Sequence, residues 1–435
     1  MVRQKFDSAS LANKNSLDWI NPVELARKIS SNYDKDWIFL YSGLDERFSY
    51  LALFPLQKII SDNFEEAKSL VENSQKKWFG YFSYEVGRDF ENFTQTTRSV
   101  INLPKIWLIN FKLIFEFDHK LQRLTAITED KKLISEVLNW KSDSALNHQI
   151  KCQKLSSNFT DESYLKTIEQ IKESIARGDL YQTNLTRKFF GKFDQKQNQQ
   201  SAFSIFENLA KASPANYSSF LSFDKNFIIS SSPELFFKVK NRSIISRPIK
   251  GTAPRGASQK EDKNNKLKLK NSLKEQAENL MIVDLVRNDL ARICKAGSVK
   301  VRKLFKITSY KNIHHMSSEI WGILDQKYQI VDALRALFPP GSMTGAPKIM
   351  AMDLAAKNEK IDRGVYSGSI GFFDKKTANF SVVIRTLLVR QDIFEFQVGG
   401  AITYDSNPQK ELEEIYSKAR ALMNVTDAVN RKIAN

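Results

Sequence analysis

The chain has 435 residues, of which 42% are hydrophobic and 26% are charged. These are ordinary values for a globular protein, and they exclude a disordered or a collagen-like chain. With 66 lysines and arginines against 49 aspartates and glutamates, the net charge is +17. Two cysteines and four histidines are too few for a disulfide framework or a cysteine-rich zinc module.

The excess of positive charge admits two interpretations, an anionic partner or a solvated surface rich in lysine. The densest basic run, residues 260–274, contains no aromatic side chain on which nucleic-acid bases could stack. We therefore expect no nucleic-acid partner. The amino terminus lacks an apolar stretch, and the most apolar segment, residues 107–117, is interrupted by polar side chains. We expect neither a signal peptide nor a membrane span, and a cytoplasmic location.

The first part of the chain, residues 1–140, combines short apolar runs with a polar, periodic segment at 56–71. Such a mixture predicts strands together with one or two helices. Residues 141–157 are polar and aperiodic, which predicts a connection between two parts of the chain. We therefore place one region at 1–145 and a second at 158–430.

The second region opens with a clear helix signal. Thr160 is a typical N-cap residue, two acidic residues follow it, and Gly178 ends the pattern. Further helices are predicted at 271–294, from Pro347 onward, and at 408–429. Strands are predicted at 220–223, 227–231, 234–239, 369–373, 381–389 and 394–398. This irregular order of long helices and strand pairs predicts an α+β layered architecture.

Two constellations are suited to binding anions and cations. Residues 341–348 (GSMTGAPK) lead into the predicted helix, so free backbone N–H groups and the positive helix end there suit a carboxylate. A simple turn and cap is the alternative. Glu411 and Glu414 share one helix face, and Glu278 lies beside an apolar stripe. Such carboxylates suit a hard cation such as Mg²⁺, although charge on an exposed helix face is the alternative.

Two further constellations concern nucleophilic and anion-binding side chains. Lys250 lies at a predicted strand end, where desolvation would favour the neutral, nucleophilic amine over a solvent-facing ammonium. Glu234 and His315 are candidate proton carriers. Arg385 alternates with aliphatic residues on a predicted strand, which indicates either a ligand carboxylate or an internal ion pair. The glycines at 399–400 would let a ligand approach the backbone closely.

Taken in order, these motifs resemble the chorismate-utilising enzymes. The resemblance covers about residues 160–430, and the segment 80–88 (GYFSYEVGR) extends it in the manner of anthranilate and aminodeoxychorismate synthase large subunits. It implies layered β-sheets flanked by helices, with the active site in a cleft between two subdomains. Residues 1–145 would be an anthranilate synthase component I-like region and 158–430 the chorismate-binding catalytic domain. The motifs are RPIKGT at 247–252, AENLMIVDLVRND at 277–289, GSMTGAPK at 341–348, YSGSIG at 366–371 and GGAITYDS at 399–406.

Two positions indicate a branch of this family. Isochorismate and salicylate synthases carry a water-activating lysine at the place matched by Gln182, and a glutamine cannot act as a base at neutral pH. Ammonia rather than water is therefore the expected nucleophile. Anthranilate synthases usually carry an alanine at the place of Lys250, whereas a lysine there resembles aminodeoxychorismate synthases, which serve para-aminobenzoate and folate biosynthesis. Anthranilate synthase is the alternative, and a non-catalytic basic binding protein on the same fold is a more distant one.

The resemblance also implies roles for individual residues. Glu278 and Glu414, helped by Glu411, would hold Mg²⁺ against the ring carboxylate of chorismate. Lys250 would attack ring carbon 2 while Glu234 protonates the departing 4-hydroxyl, and ammonia would then add at carbon 4. The remaining residues expected at the substrate are His315, Thr344, Gly345, Ala346, Lys348, Tyr366, Arg385, Gly399, Gly400 and Gln182.

The source of ammonia is expected to be a second protein. A glutaminase uses a cysteine on a Gly-x-Cys-x-Gly turn, and neither Cys152 nor Cys294 lies in such a sequence. The resemblance therefore implies a separate glutamine amidotransferase subunit as partner.

Overall fold

The computed structural model describes residues 13–141, 150–310, 313–429 and 433–434. Within these ranges the chain forms ten α-helices and 21 β-strands. None of these described helices has the length and apolar character needed to cross a bilayer. The helices are α1 Pro22–Asn32, α2 Phe64–Glu72, α3 Lys131–Asn139, α4 Asp161–Ala176, α5 Gln199–Ala212, α6 Gln259–Asn271, α7 Leu273–Ala291, α8 Ile330–Leu337, α9 Lys348–Glu359 and α10 Pro408–Val425.

The strands fall on both sides of the predicted connection. They are β1 Asn13–Leu17, β2 Trp37–Tyr41, β3 Phe48–Ser61, β4 Trp78–Phe82, β5 Ile106–Asp118, β6 Arg123–Thr128, β7 Cys152–Ser157, β8 Gln182–Phe193, β9 Tyr217–Phe223, β10 Asn226–Ser232, β11 Leu235–Lys240, β12 Ser243–Arg247, β13 Ile249–Pro254, β14 Lys300–Ser309, β15 Ile313–Ile323, β16 Gly345–Ala346, β17 Ser369–Phe373, β18 Thr377–Val382, β19 Thr386–Arg390, β20 Ile393–Ile402 and β21 Ile433–Ala434.

The strands form two largely antiparallel branches that share the long strand β5. One branch runs through β3, β2, β9, β10, β19, β20, β8 and β7. The other runs through β4, β17, β18, β11, β12 and β15, and β15 also pairs with β13 and β14. Hydrogen bonds therefore join strands of the amino-terminal region to strands of the second region, at β2–β9 and at β4–β17.

Three apolar clusters show how the branches are layered. One contains residues of β2, β4, β9, β17 and β19 and lies between the branches. The second packs α1, α4, α5 and α10 on the outer face of the first branch. The third packs α2, α7 and α8 on the outer face of the other. This confirms the predicted α+β architecture of layered sheets flanked by helices, because each sheet buries its apolar faces between another sheet and a helical layer.

Helix starts follow the predicted local signals. The Thr160 hydroxyl accepts the Ser163 backbone N–H in a capping box, and α4 ends before Gly178 as expected. The helix predicted at 271–294 is shorter, because Ser272 caps α7 and separates it from α6. Residues 56–71 are divided between the end of β3 and α2.

Two sequence-based predictions in the strands are wrong. The connection predicted at 141–157 ends in β7, whose polar residues pair with β8; residues 142–149 lie outside the described ranges. The strand predicted at 381–389 is interrupted between β18 and β19, where Arg385 has a left-handed backbone conformation with φ 51°.

Candidate active site

A cleft of about 340 Å³ opens between helices α7 and α10 on one side and strands β13 and β15 on the other. Strands β8 and β20 contribute to its floor through Asn184 and residues 397–399. The tertiary structure thus brings together side chains that lie up to about 230 positions apart in the sequence. The predicted site residues that line the cleft are Glu234, Lys250, Glu278, His315, Tyr366, Arg385, Gly399, Glu411 and Glu414.

Carboxylates form one wall of the cleft. Glu411 and Glu414 project from α10, and Glu278 projects from α7 together with Glu275, which the sequence analysis missed. The signal was present, because Glu275 and Glu278 repeat the three-residue spacing of the other pair. Burial raises the pKa of Glu275, and the charge of Glu278 acts in the same direction.

The second carboxylate pair is shaped by its surroundings. Burial raises the pKa of Glu411, which also accepts a hydrogen bond of 2.8 Å from the Ser406 hydroxyl. Lys418 holds the pKa of Glu414 below its usual range through an ion pair of 2.6 Å. A Cβ on Gly400 would lie 3.3 Å from Glu411 Oε2, so this glycine leaves room for the carboxylate without lining the cleft itself.

Carboxylate oxygens are the ligands that a hard divalent cation such as Mg²⁺ prefers, and this wall presents four carboxylates. Among the described residues no group of three or more His, Cys, Asp or Glu side chains forms a ready-made metal cage. Mg²⁺ does not need one, since it is commonly held by one or two protein carboxylates, waters and an anionic substrate. Lys274 lies 3.9 Å from Glu278 and 3.8 Å from Glu411 and partly offsets their charge.

The opposite wall carries Lys250 and Glu234. Lys250 lies at a register shift of β13 against β15, and it is followed by Gly251 with φ +84°. A Cβ on Gly251 would come within 2.8 Å of Glu275 Oε2, so glycine is required for this close approach of the two walls.

Glu234 is 4% exposed and lies between β10 and β11. Burial raises the pKa of Glu234 to about 7, while the Ser342 hydroxyl and the Lys250 charge act in the opposite direction. A carboxyl group with this pKa is divided between its protonated and ionised forms near neutral pH, as a general acid and base requires.

His315 is 3% exposed, and neither its Nδ1 nor its Nε2 has a hydrogen-bond partner in the structure. Burial lowers the pKa of His315 to about 3, and the charge of Arg385 adds to this effect. The Nδ2 atom of Asn184 and the Oε1 atom of Gln397 are likewise buried without a partner. Because buried polar atoms are normally hydrogen bonded, these three cleft side chains indicate a polar ligand.

Arg385 reaches the cleft for a reason different from the predicted strand alternation. Its left-handed backbone breaks the strand, and its carbonyl accepts the Ser231 N–H at 3.1 Å. The Arg385 guanidinium lies 3.4 Å from the Ser213 hydroxyl, and burial lowers its pKa. No ion pair of Arg385 is found among the described residues, which leaves the guanidinium available to a ligand anion.

The structure places the other predicted substrate residues outside the cleft. Gly345 and Ala346 form β16 and pair with Thr183 and Gln182, so their backbone groups serve the sheet. The Thr344 carbonyl accepts the Asn184 N–H. From the segment 341–348, Ser342 and Met343 line the cleft instead.

Lys348 has a structural partner. Its ammonium lies 2.7 Å from the buried Asp289 carboxylate and donates to the Leu337 carbonyl. This pair ties the first residue of α9 to α7, and neither residue lines the cleft. The side chain of Gln182 is 1% exposed and also lies outside the lining.

Comparison with known proteins identifies the family of the chain. The family model described as chorismate binding enzyme matches residues 24–424. The chain belongs to the chorismate binding enzyme family. It is therefore a chorismate-utilising enzyme, and the family assignment made from the sequence is confirmed. The match also includes most of the amino-terminal region, which supplies β2 to β6.

Relatives from two branches of the family are about equally similar. The chain is 34% identical over 348 residues to aminodeoxychorismate synthase component 1 of Escherichia coli K12, covering 79% of this chain and 75% of the relative. It is 33% identical over 344 residues to anthranilate synthase component 1 of Saccharolobus solfataricus, covering 79% of each. The crystal structure of anthranilate synthase component I from Streptococcus pneumoniae TIGR4 matches with a TM-score of 0.77 at 27% identity, covering 88% of this chain and 93% of the other.

Proposed function

We propose that this enzyme is the aminating component of an aminodeoxychorismate synthase, which converts chorismate and ammonia into 4-amino-4-deoxychorismate and water. The observation that carries the proposal is the position of Lys250, a primary amine in the cleft wall opposite the carboxylates and beside the buried Glu234. Direct replacement of the 4-hydroxyl by ammonia needs no nucleophile from the protein, whereas a lysine in this place supplies one. Its presence therefore favours a two-step route.

The proposed reaction has a covalent step on Lys250 and an amination step. The free amine of Lys250 attacks ring carbon 2, the ring double bond shifts, and the bond from carbon 4 to its hydroxyl breaks. Glu234 donates its proton to the departing oxygen, which leaves as water. Ammonia then forms a bond to carbon 4, the double bond returns, and the bond from carbon 2 to Lys250 breaks. The Glu234 carboxylate accepts the proton that ammonia loses, so the chain returns to its starting state.

The remaining cleft residues would orient the substrate. Arg385 and Tyr366 face the cleft from the β18–β19 side and suit the enolpyruvyl carboxylate, because the guanidinium fork matches a carboxylate in geometry and charge. Glu278 and Glu414, with Glu275 and Glu411 beside them, would hold Mg²⁺. The ion would supply charge neutralisation and a template for the ring carboxylate of chorismate.

Ammonia is proposed to come from a glutamine amidotransferase subunit. The name component 1, carried by the relatives in both branches, implies a second component in those proteins. The purified chain should accordingly use ammonium salts and should form no product from glutamine until such a subunit is added. Glutamine-dependent turnover by the chain alone would contradict the proposed partner.

The second candidate is anthranilate synthase component I, which the similarity to the Saccharolobus solfataricus relative supports. Mass spectrometry of the product formed from chorismate, Mg²⁺ and ammonium salt separates the two. The proposal expects an aminated product that retains the enolpyruvyl group. Anthranilate and pyruvate would instead establish the second candidate.

The covalent step has its own test. Intact-protein mass spectrometry after incubation with chorismate and Mg²⁺, without ammonia, should show an adduct of chorismate minus water. The adduct should be absent from Lys250→Ala and present in Lys270→Ala, a matched control on the exposed face of α6. Normal turnover by Lys250→Ala would show that Lys250 is not the nucleophile.

A further inference from the structure

The buried arginine Arg363 contacts the backbone of two cleft-lining residues, although its own side chain does not line the cleft. It is 2% exposed and lies between α9 and β17. Its guanidinium forms a two-pronged ion pair with Glu359, with distances of 2.9 Å and 2.7 Å. Nη1 and Nη2 also donate to backbone carbonyl groups.

Two of these backbone contacts are to residues of the cleft. Arg363 Nη1 donates to the Met343 carbonyl and Nη2 donates to the Asn184 carbonyl, both at 2.7 Å. Met343 and Asn184 both line the cleft, and the Asn184 amide nitrogen is one of the buried groups without a partner. The guanidinium therefore links the turn at 341–343 to strand β8, beside the hydrogen bond from the Asn184 N–H to the Thr344 carbonyl.

The ion-pair partner extends the same network. Glu359 Oε1 accepts the backbone N–H of Thr186 at 2.9 Å, two residues beyond Asn184 on β8. Strand β8 is thus held at two points by a single charge pair. Because both members of the pair are buried, their geometry is fixed and little screened by solvent.

The amino-terminal region supports Arg363 from the other side. The Glu85 carboxylate accepts the backbone N–H groups of Arg363 at 2.9 Å and of Gly364 at 3.0 Å. The guanidinium also lies 4.6 Å from the centre of the Tyr84 ring. Tyr84 and Glu85 belong to the segment 80–88, which supplies no residue to the cleft lining. Its contribution is to hold Arg363 in place.

We propose that Arg363 is a positioning residue for chorismate: it holds the Met343 and Asn184 backbone carbonyls at the spacing at which the Asn184 side-chain amide can donate to the bound substrate. Lysine at this position keeps the charge but carries all its donors on one nitrogen, so it cannot reproduce the separate Nη1 and Nη2 contacts of the guanidinium. Displacement of a binding group by about 1 Å lowers efficiency by up to about 100-fold. The proposal rests on the proposed function only in taking chorismate as the ligand of this cleft.

The test compares Arg363→Lys with Arg187→Lys. Arg187 is equally buried, and its partners include Asp161, the Phe159 carbonyl and the Tyr416 hydroxyl, none of which lines the cleft. Both variants should lose thermal stability. Only Arg363→Lys should raise the dissociation constant and the KM for chorismate, by about tenfold or more, with a smaller change in kcat.

Binding is measured by calorimetry with chorismate and Mg²⁺ in the absence of ammonia, with both substitutions placed in a Lys250→Ala background in which no adduct forms. The result is then independent of which product the enzyme makes, so a wrong product assignment and a wrong role for Arg363 are distinguishable. Equal stability losses in the two variants with unchanged chorismate affinity would overturn the proposal. Should Arg363→Lys fail to fold, Glu359→Gln is the second variant, because it preserves the side-chain shape and the oxygen that accepts the Thr186 N–H. It should raise the dissociation constant for chorismate in the same way. Unchanged affinity would overturn the proposal equally.

Discussion

The raised pKa of Glu234 predicts a specific dependence of stability on pH. Burial moves the pKa of this carboxyl from 4.5 to about 7. Between these values the folded chain retains a proton that the unfolded chain has released, so the free energy of unfolding falls as pH rises. The stabilisation that goes with the proton is complete below the unfolded pKa and is lost as pH passes through the folded pKa.

Glu234→Gln removes this dependence, because an amide does not titrate. From the two pKa values, the free energy of unfolding of the variant relative to the parent should rise by about 2–3 kcal/mol between pH 5 and pH 8. Urea unfolding of both proteins at the two pH values measures the difference directly. Glu85, whose pKa burial also raises to about 7, is present in both proteins and cancels in the comparison.

Glu319→Gln is the matched control. Glu319 is 6% exposed, and burial opposes its ionisation, but hydrogen bonds from Arg247 and Lys303 outweigh this and lower its pKa. Its substitution should change the pH dependence between pH 5 and pH 8 by less than about 0.5 kcal/mol. If Glu234→Gln behaved like this control, the carboxyl would be ionised in the folded chain near neutral pH and could not serve as the general acid.

Three further substitutions test the cleft. Lys348→Met should lower the free energy of unfolding by about 2 kcal/mol, because it removes one of the two cationic partners of the buried Asp289 carboxylate and leaves Arg292 as the other. Thermal melting measures this loss; a raised KM without loss of stability would return Lys348 to the substrate site. Lys274→Met should tighten Mg²⁺ binding by about fivefold, because it removes a unit charge about 4 Å from the carboxylates, which in water contributes about 1 kcal/mol. Titration of each variant with Mg²⁺, followed by competition with Mn²⁺, compares it with Lys270→Met. Unchanged affinity would place the ion elsewhere. Gly251→Ala should lower the free energy of unfolding by about 1 kcal/mol or more and reduce kcat, because the added Cβ meets Glu275 and the backbone φ at this position is positive. A variant with the melting temperature and turnover of the parent would refute the close approach of Gly251 to Glu275.

The residues determined by local patterns were predictable. Thr160 and the acidic residues after it mark the start of α4, and the spacing of Glu411 and Glu414 places both on one face of α10. These features depend only on backbone periodicity and on side chains within one or two turns. The family motifs likewise identified Lys250, Glu234 and the carboxylates, all of which line the cleft.

What depends on pairing between distant segments was not predictable. The sequence of residues 381–389 has the alternation of one strand, but pairing to both β10 and β11 requires a break, and the left-handed Arg385 provides it. Lys348 belongs to a motif with glycines and a threonine that suits an anion, yet its ammonium is taken by Asp289 from another helix.

By itself, the sequence determined the starts of α4 and α10, the family and the chemical types in the cleft, because these follow from neighbouring residues and ordered motifs. Only the tertiary structure decided which of those side chains face the cleft and which form ion pairs or hydrogen bonds inside the protein. Arg363 shows the reason most clearly. It donates to the backbone carbonyls of residues 343 and 184, and because every residue has such a carbonyl, the sequence does not indicate which ones an arginine contacts.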